Sequence, residues 1–388
     1  MLNKELLNIE KENTFSKATR ITNEYKLANP NVNIISLGIG DVSKPIVKPI
    51  RDAMKKAIDD LGSMDSFKGY GMYYGLEELR EAIIVNEYGK YGIIKDEVFV
   101  GDGAKSDSTN ILELFDKDST ILVSNPIYPI YQNGAFALYH KVYFGETDEN
   151  FKMLVPKEKY DIIYLCSPSN PIGNAYTYDE LDKWIKYAKE NNSVIILDNV
   201  YKAFKESKDV PDSIYEIEGS KEVAIELRSF SKDASFTGMR CSYFVIPKDL
   251  DKDILNVWKE RTINRFNGAS YVSQVGALAS FTKEAQELIK ENIKSYKENT
   301  KYLKDSFESL GFEVIGGIDS PYLWVKTKDN MTSWQYFDFF LKKLNIIIIP
   351  GEIFGTKGKY NFRVSGLGNI DNSKKAIERI KEYYEKNI

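Results

Sequence analysis

The sequence predicts an α/β fold with a mainly parallel central sheet, followed by a smaller α+β unit. Three observations lead there. Short runs of Val, Ile and Leu recur through the middle of the chain, and each ends abruptly in Gly, Pro or polar residues. Helix-length amphipathic segments separate these runs. After about residue 310 the alternation gives way to clustered strand-like segments.

The apolar runs are EVFVGDGAK (97–105), TILVSNPIYP (120–129), IIYLCSPSNPIG (162–173), VIILDNVY (194–201) and AIELRSFSK (224–232). Continuous β-branched and aliphatic stretches suit strands buried on both faces, as in a parallel sheet. Between them, residues 178–190 place Leu181, Trp184, Ile185 and Ala188 on one helical face, and Thr177 with Glu180 has capping-box spacing. Residues 283–310 read as a long helix stopped at Gly311, and residues 373–386 as a last amphipathic helix with Ala376, Ile377, Ile380 and Tyr383 at helical spacing. The segments FEVIGG, YLWVKTK, NIIIIPG and YNFRVSGLG supply the second unit. Strands alternating with helices place a ligand beyond the carboxyl ends of the strands. Those ends carry Gly103 to Lys105, Tyr128, Asn170, Asp198 with Tyr201, and Ser229 to Lys232.

Composition narrows the function class. The chain has 388 residues, 43% hydrophobic and 28% charged, an ordinary globular balance. A net charge of -4 offers no basic footprint for nucleic acid. No run of about 18 apolar residues predicts a membrane span, and the charged start MLNKELLNIEKENTF lacks a signal-peptide apolar region. Two cysteines, Cys166 and Cys241, make no disulfide framework, and a single histidine, His140, leaves little for a metal site or a serine-histidine triad. A soluble cytoplasmic protein is the expectation.

Lys232 follows a buried strand in SFSKDASFTGMR, with hydroxyls at Ser229 and Ser231 and Arg240 eight residues on. A lysine there is commonly a solvated loop charge. A lysine amine also forms imines with aldehydes when desolvation or a neighbouring cation activates it, and the hydroxyls with the guanidinium suit a dianionic phosphate. Asp198 closes the run VIILD, where an aspartate is either a turn residue or a charge aimed at the crevice. In GDGAK, the N–H groups of Gly103, Ala104 and Lys105 form a phosphate cup if a helix starts there; the spacing fits neither a dinucleotide motif nor a P-loop. Arg363 stands in an apolar strand and needs a partner, either a structural carboxylate or a ligand carboxylate.

SxxK followed by Arg240, together with LGIGD (37–41), GYG (69–71), GDGAK (101–105) and FNGAS (266–270), resembles the fold type I pyridoxal-phosphate (PLP) aminotransferases and, within them, the LL-diaminopimelate aminotransferase family. The resemblance runs from about residue 33 to 387. It implies a large PLP-binding domain (41–285) with a mainly parallel sheet, a small α+β domain (286–388), and an N-terminal arm (1–40) joining the small one. It implies that Lys232 carries the cofactor as a Schiff base, that Asp198 pairs with the pyridine nitrogen, and that Tyr201 and Asn170 share its phenolate oxygen. Tyr128 would stack on the ring. Gly103, Ala104, Lys105, Ser229, Ser231 and Arg240 would hold the phosphate. Arg363 and Gly40 would take the substrate's α-carboxylate. Tyr70 and Asn267 would cross a homodimer interface to the neighbouring site.

The chain departs from the family at Ile172, where Thr is usual, and at Tyr73, where Glu recognises the distal ammonium. Ungapped spacing puts Asn13, near Phe15, where the family's arm supplies a tyrosine. The stretch from Tyr131 to Asp161 is shorter than the family's. The expected function is transamination between an amino acid and a 2-oxo acid, with LL-diaminopimelate and tetrahydrodipicolinate as the pair. Tyr73 and Asn13 keep open a related aminotransferase acting on lysine or an uncharged side chain. A non-catalytic homologue would show erosion at Lys232, Asp198, Arg240 or Arg363, and all four are present. A nicotinamide dehydrogenase lacks its GxGxxG.

Overall fold

The computed structural model describes residues 4, 14–38 and 40–386. The helix Thr14–Ala28 leads to β1 (Ile35–Ser36), which pairs in parallel with β11 (Ile346–Ile347). Ala18, Ile35 and Leu37 enter the same apolar core as Trp324, Phe340 and Phe362, so this amino-terminal segment packs with the carboxy-terminal unit. Asn13 lies outside the described residues.

The central sheet holds β2 (Val98–Gly101), β3 (Thr120–Val123), β4 (Lys141–Phe144), β5 (Ile162–Cys166), β6 (Val194–Asp198), β7 (Ala224–Ser229) and β8 (Ser242–Val245), in the order β2-β8-β7-β6-β5-β3-β4. β8 alone is antiparallel to its neighbours β2 and β7, and the other pairings are parallel. Side chains alternate between two cores. Ile163, Leu165, Ile195 and Leu197 enter one, and Ile162, Tyr164, Ile196 and Leu227 the other. Burial on both faces is why these strands read as unbroken apolar runs. The register aligns Cys166, Asp198 and Leu227 at the carboxyl edge.

The helix Tyr178–Asn191 starts at the expected capping box, Thr177 receiving Glu180 N–H and Glu180 receiving Thr177 N–H. The helix Lys283–Ser309 runs 27 residues and stops before Gly311, whose φ of +76° and N–H bond to the Glu308 carbonyl end it. Its first half places Ile289, Ile293 and Tyr296 in the large core, and its second half sends Leu303 and Phe307 into the small one. The helix therefore ties the two units together. The smaller sheet is antiparallel, β9 (Val314–Gly316), β10 (Tyr322–Lys326), β12 (Ile349–Pro350) and β13 (Asn361–Ser365), ordered β12-β13-β10-β9. Arg363 sits opposite Trp324 and Ile349 in this sheet, which aims it back at the large unit. Among the described residues no helix is long and apolar enough to cross a membrane.

Candidate active site

A cavity of about 550 Å³ opens at the carboxyl edge of the central sheet, with Lys232 on its wall. β7 ends at Ser229, whose hydroxyl accepts Ser231 N–H at 3.1 Å and so starts the single helical turn Phe230–Asp233. That turn presents Lys232, and its Nζ donates to the Gly40 carbonyl of the amino-terminal segment. Ser229 and Ser231 lie 3.0 Å apart through their hydroxyls, and Arg240 Nη1 donates to Ser231 Oγ at 3.3 Å. Arg240 adopts φ +56°, an uncommon conformation for a residue with a side chain.

One expectation is corrected here. Gly103 does not offer its N–H to the cavity, because that N–H donates to Ser242 Oγ at 2.7 Å, and Ser242 in turn donates to buried Asp107. Gly103 matters for shape instead. Its φ is +133°, and a Cβ there would stand 1.9 Å from Arg240 Nη2. Only glycine lets the guanidinium approach. Ala104 and Lys105 begin the helix Ala104–Asn110, so their N–H groups have no intrahelical acceptor. Both residues line the cavity together with Arg240 and the two serines.

Asp198 also lines the cavity, is buried and forms no ion pair among the described residues. Burial pushes its carboxyl up to about 6, against hydrogen bonds from the Tyr131 hydroxyl and from Val200 N–H at 3.2 Å. Tyr131 is a residue that the sequence reading passed over. It stacks on Tyr164 at 4.8 Å, and Tyr128 meets its edge at 6.1 Å. Replacing Tyr131 by Phe should remove the stronger of two donors to Asp198, raise its carboxyl further and weaken cofactor binding about tenfold, the size expected of one hydrogen bond to a charged group. Fluorescence titration with the cofactor at pH 7 checks this, and an unchanged dissociation constant would refute the role.

Tyr201 is buried, and its hydroxyl lies 3.0 Å from that of Tyr322 on β10. Burial and the neighbouring phenol push Tyr201 well up, so it is a neutral donor at physiological pH. Tyr322 also lies under the Arg363 guanidinium, 4.4 Å from ring to cation, with Phe354 at 5.0 Å. Arg363 is only 3% exposed. Its Nη1 donates to Asn170 Oδ1 at 2.7 Å and its Nη2 to the Gly38 carbonyl at 3.3 Å, while Nε has no acceptor. Among the described residues no carboxylate pairs with it. A Cβ on Gly40 would lie 3.3 Å from Nη2, which puts the glycine beside the guanidinium. Phe15 closes the same end.

Three expected site residues lie apart from this cavity. Tyr70 is 90% exposed, and Tyr73 and Asn267 are exposed as well. None lines it. The described residues hold no metal-ligating cluster, and Cys166 and Cys241 are free and buried.

The comparisons with known proteins agree with one another. The profile of a family described as aminotransferase class I and II matches residues 32–380. An LL-diaminopimelate aminotransferase of Prochlorococcus marinus (strain NATL1A) is 42% identical over 98% of both chains. A protein of the same name from Methanosphaera stadtmanae is 40% identical over 96% of both. The solved structure of L,L-diaminopimelate aminotransferase from Chlamydomonas reinhardtii superposes with a TM-score of 0.93 at 35% identity, covering 99% of this chain and 98% of that one. The cavity thus lies where a shared fold, a full-length match and a lysine-centred set of polar groups coincide, and the chain belongs to the aminotransferase class I and II family.

Proposed function

We propose that this protein is a PLP-dependent LL-diaminopimelate aminotransferase, moving an amino group between glutamate and tetrahydrodipicolinate in lysine synthesis in the cytoplasm. One observation carries the reading. A buried carboxylate without a cation, Asp198, and a buried cation without a carboxylate, Arg363, line one cavity together with Lys232. Each lone charge is costly unless a ligand answers it. A protonated pyridine ring answers Asp198, and an α-carboxylate answers Arg363.

The residues present fit the cofactor. Ala104, Lys105, Ser229, Ser231 and Arg240 would hold its phosphate, with Gly103 making room for Arg240. Tyr128 would cover one ring face. Tyr201 and the Nδ2 of Asn170, whose Oδ1 is engaged by Arg363, would donate to its phenolate oxygen. When bound, PLP supplies an electron sink for charge left at the substrate's α-carbon. Arg363 orients the substrate through bidentate contact with the α-carboxylate, and Gly40 gives the carboxylate backbone access. Lys232 Nζ would take the proton from the α-carbon as general base and return it as general acid. Phe15, Tyr322 and Phe354 wall the Arg363 end with aromatic surface, which strengthens the carboxylate contact by excluding water.

Tyr70, Tyr73 and Asn267 point to a homodimer with shared sites. Met64, Phe67, Tyr70, Met72 and Tyr73 are exposed along one segment, and Gly268, next to Asn267, lies against Met72, so a partner chain would cover this apolar surface. Sedimentation of the PLP-loaded protein at the single-chain mass would rule this out. Tyr73, in place of an acidic residue, favours a second reading, a sister enzyme for another amino acid.

A half-reaction separates the two. LL-diaminopimelate, lysine, glutamate and alanine are each added to PLP-loaded protein, and loss of the lysine-bound cofactor absorbance is followed. Rapid loss with LL-diaminopimelate and glutamate alone is the expected result. Loss with another amino acid, LL-diaminopimelate being inert, would keep the transaminase and change its substrate.

A further inference from the structure

A cavity larger than that of the active site lies elsewhere in the molecule. A groove of about 950 Å³ lies between the large unit and the helix Lys283–Ser309, and it shares no lining residue with the Lys232 cavity. Along the helix, Lys290, Lys294, Lys297, Lys301 and Lys304 all line it. Their spacing of four and three places them on one helical face. Carboxylates line the groove too, so the charges need to be paired off. Lys202 is bound to Glu87, Lys297 lies 3.5 Å from Glu206, Lys301 2.9 Å from Asp305 and Lys294 3.9 Å from Glu298. Lys304 lies 4.0 Å from Glu308 and donates to the Gly316 carbonyl at 2.9 Å. Among the described residues Lys290 is thus the lysine of this row without an ion pair, and Arg228 meets its carboxylates only at longer range.

Arg228 is the decisive member. It is 4% exposed, its guanidinium stands 3.7 Å from Glu87 and 3.8 Å from Glu226, and its Nη1 has no hydrogen-bond acceptor. An arginine buried this deeply normally has its donors satisfied. Phe230, Phe281, Ile289 and Ile293 add apolar surface between the cations, which suits a carbon frame rather than a bare inorganic ion.

The groove also touches the catalytic elements from behind. Asp233 follows Lys232 on the same helical turn, Lys202 follows Tyr201, and Ser320 lies two residues before Tyr322. A ligand held there contacts both units and three segments that build the active site.

We propose that this groove is a second binding site, for a small organic anion bearing at least two carboxylate or phosphate groups, and that its occupancy tunes transamination. Citrate and 3-phosphoglycerate serve as the two probes, titrated calorimetrically into PLP-loaded protein. At least one should bind saturably at one per chain; binding of citrate shows that carboxylates suffice, and binding of 3-phosphoglycerate alone shows that the phosphate is required. Lys290 is exposed and outside the catalytic set, so Lys290→Glu should leave activity without the probe unchanged while weakening probe binding at least about tenfold, as loss of a charge-assisted contact predicts. Arg363→Lys should leave probe binding intact, which excludes binding in the active cavity. The bound probe should shift the KM for the amino acid, because it contacts segments that build the active site. No saturable binding by either probe, binding indifferent to Lys290→Glu, or binding lost in Arg363→Lys would each overturn the site. Binding with KM unmoved would overturn its regulatory role.

Discussion

Lys232→Ala will fold, bind PLP without a covalent link, and transaminate at least about 10⁴-fold more slowly, because one amine performs two tasks that no neighbour can take over. Positioned proton transfer alone contributes about 10²–10⁴ in rate, and loss of the covalent anchor adds to it. The other cationic groups on the cavity wall are Lys105, Arg240 and Arg363. Lys105 begins the helix at the phosphate cup, Arg240 is turned onto Ser231, and Arg363 is tied to Asn170 and Gly38. None is placed to reach an α-carbon in the way that Lys232 is. Arg at position 232 should not rescue, since a guanidinium stays protonated and is no base. The measurement is the single-turnover rate, with circular dichroism to show an intact fold and borohydride reduction to show that the cofactor is no longer fixed to the chain. A loss below about tenfold would remove Lys232 from the chemistry.

How much of this was legible in the sequence depended on whether a feature was local. β5 and β6 were readable because burial on both faces writes an unbroken apolar run, and β7 from its apolar start, although buried Glu226 and Arg228 interrupt it. β4 was not, since its residues are largely exposed at the sheet edge and carry no such run. β8 hid behind Arg240 in a stretch read as motif, although it is the one strand that breaks the parallel pattern. At the site, Lys232, Ser229, Ser231 and Arg240 fall within a dozen residues and were found together. Gly103 was assigned the wrong task because the hydroxyl that takes its N–H comes from Ser242, 139 residues away. Tyr131 and Tyr322 were missed for the same reason. One acts on Asp198 at a separation of 67 residues and the other on Tyr201 at 121, and nothing in their immediate neighbours marks them. Arg363 was noticed as an arginine in an apolar strand, with a structural carboxylate as the competing explanation. The fold surrounds it with Tyr322, Phe354, Asn170 and a carbonyl instead.

Asp198→Asn should have opposite effects on the cofactor-free and the PLP-loaded protein. Without cofactor the carboxyl is raised from 3.8 to about 6 by burial, so the folded state holds its proton more tightly than the unfolded chain does. Stability therefore falls as pH rises from about 4 to about 6, and the full loss, up to about 3 kcal/mol, is present at neutral pH. Asparagine keeps the shape and abolishes the charge. The cofactor-free variant should consequently melt higher than the parent at pH 8, with the difference shrinking towards pH 4. With PLP the order reverses. The parent gains an ion pair that keeps the ring nitrogen protonated, and the variant cannot supply it. Cofactor affinity should fall by up to about 100-fold, the same free energy read from the other side, and turnover should fall at least as far because the ring loses its charge as an electron sink. Melting curves at two pH values and a PLP titration decide the matter. A cofactor-free variant less stable than the parent at pH 8 would mean that Asp198 is held by the protein for its own fold. The crossing of the two effects would mean that its charge is stored for the ligand.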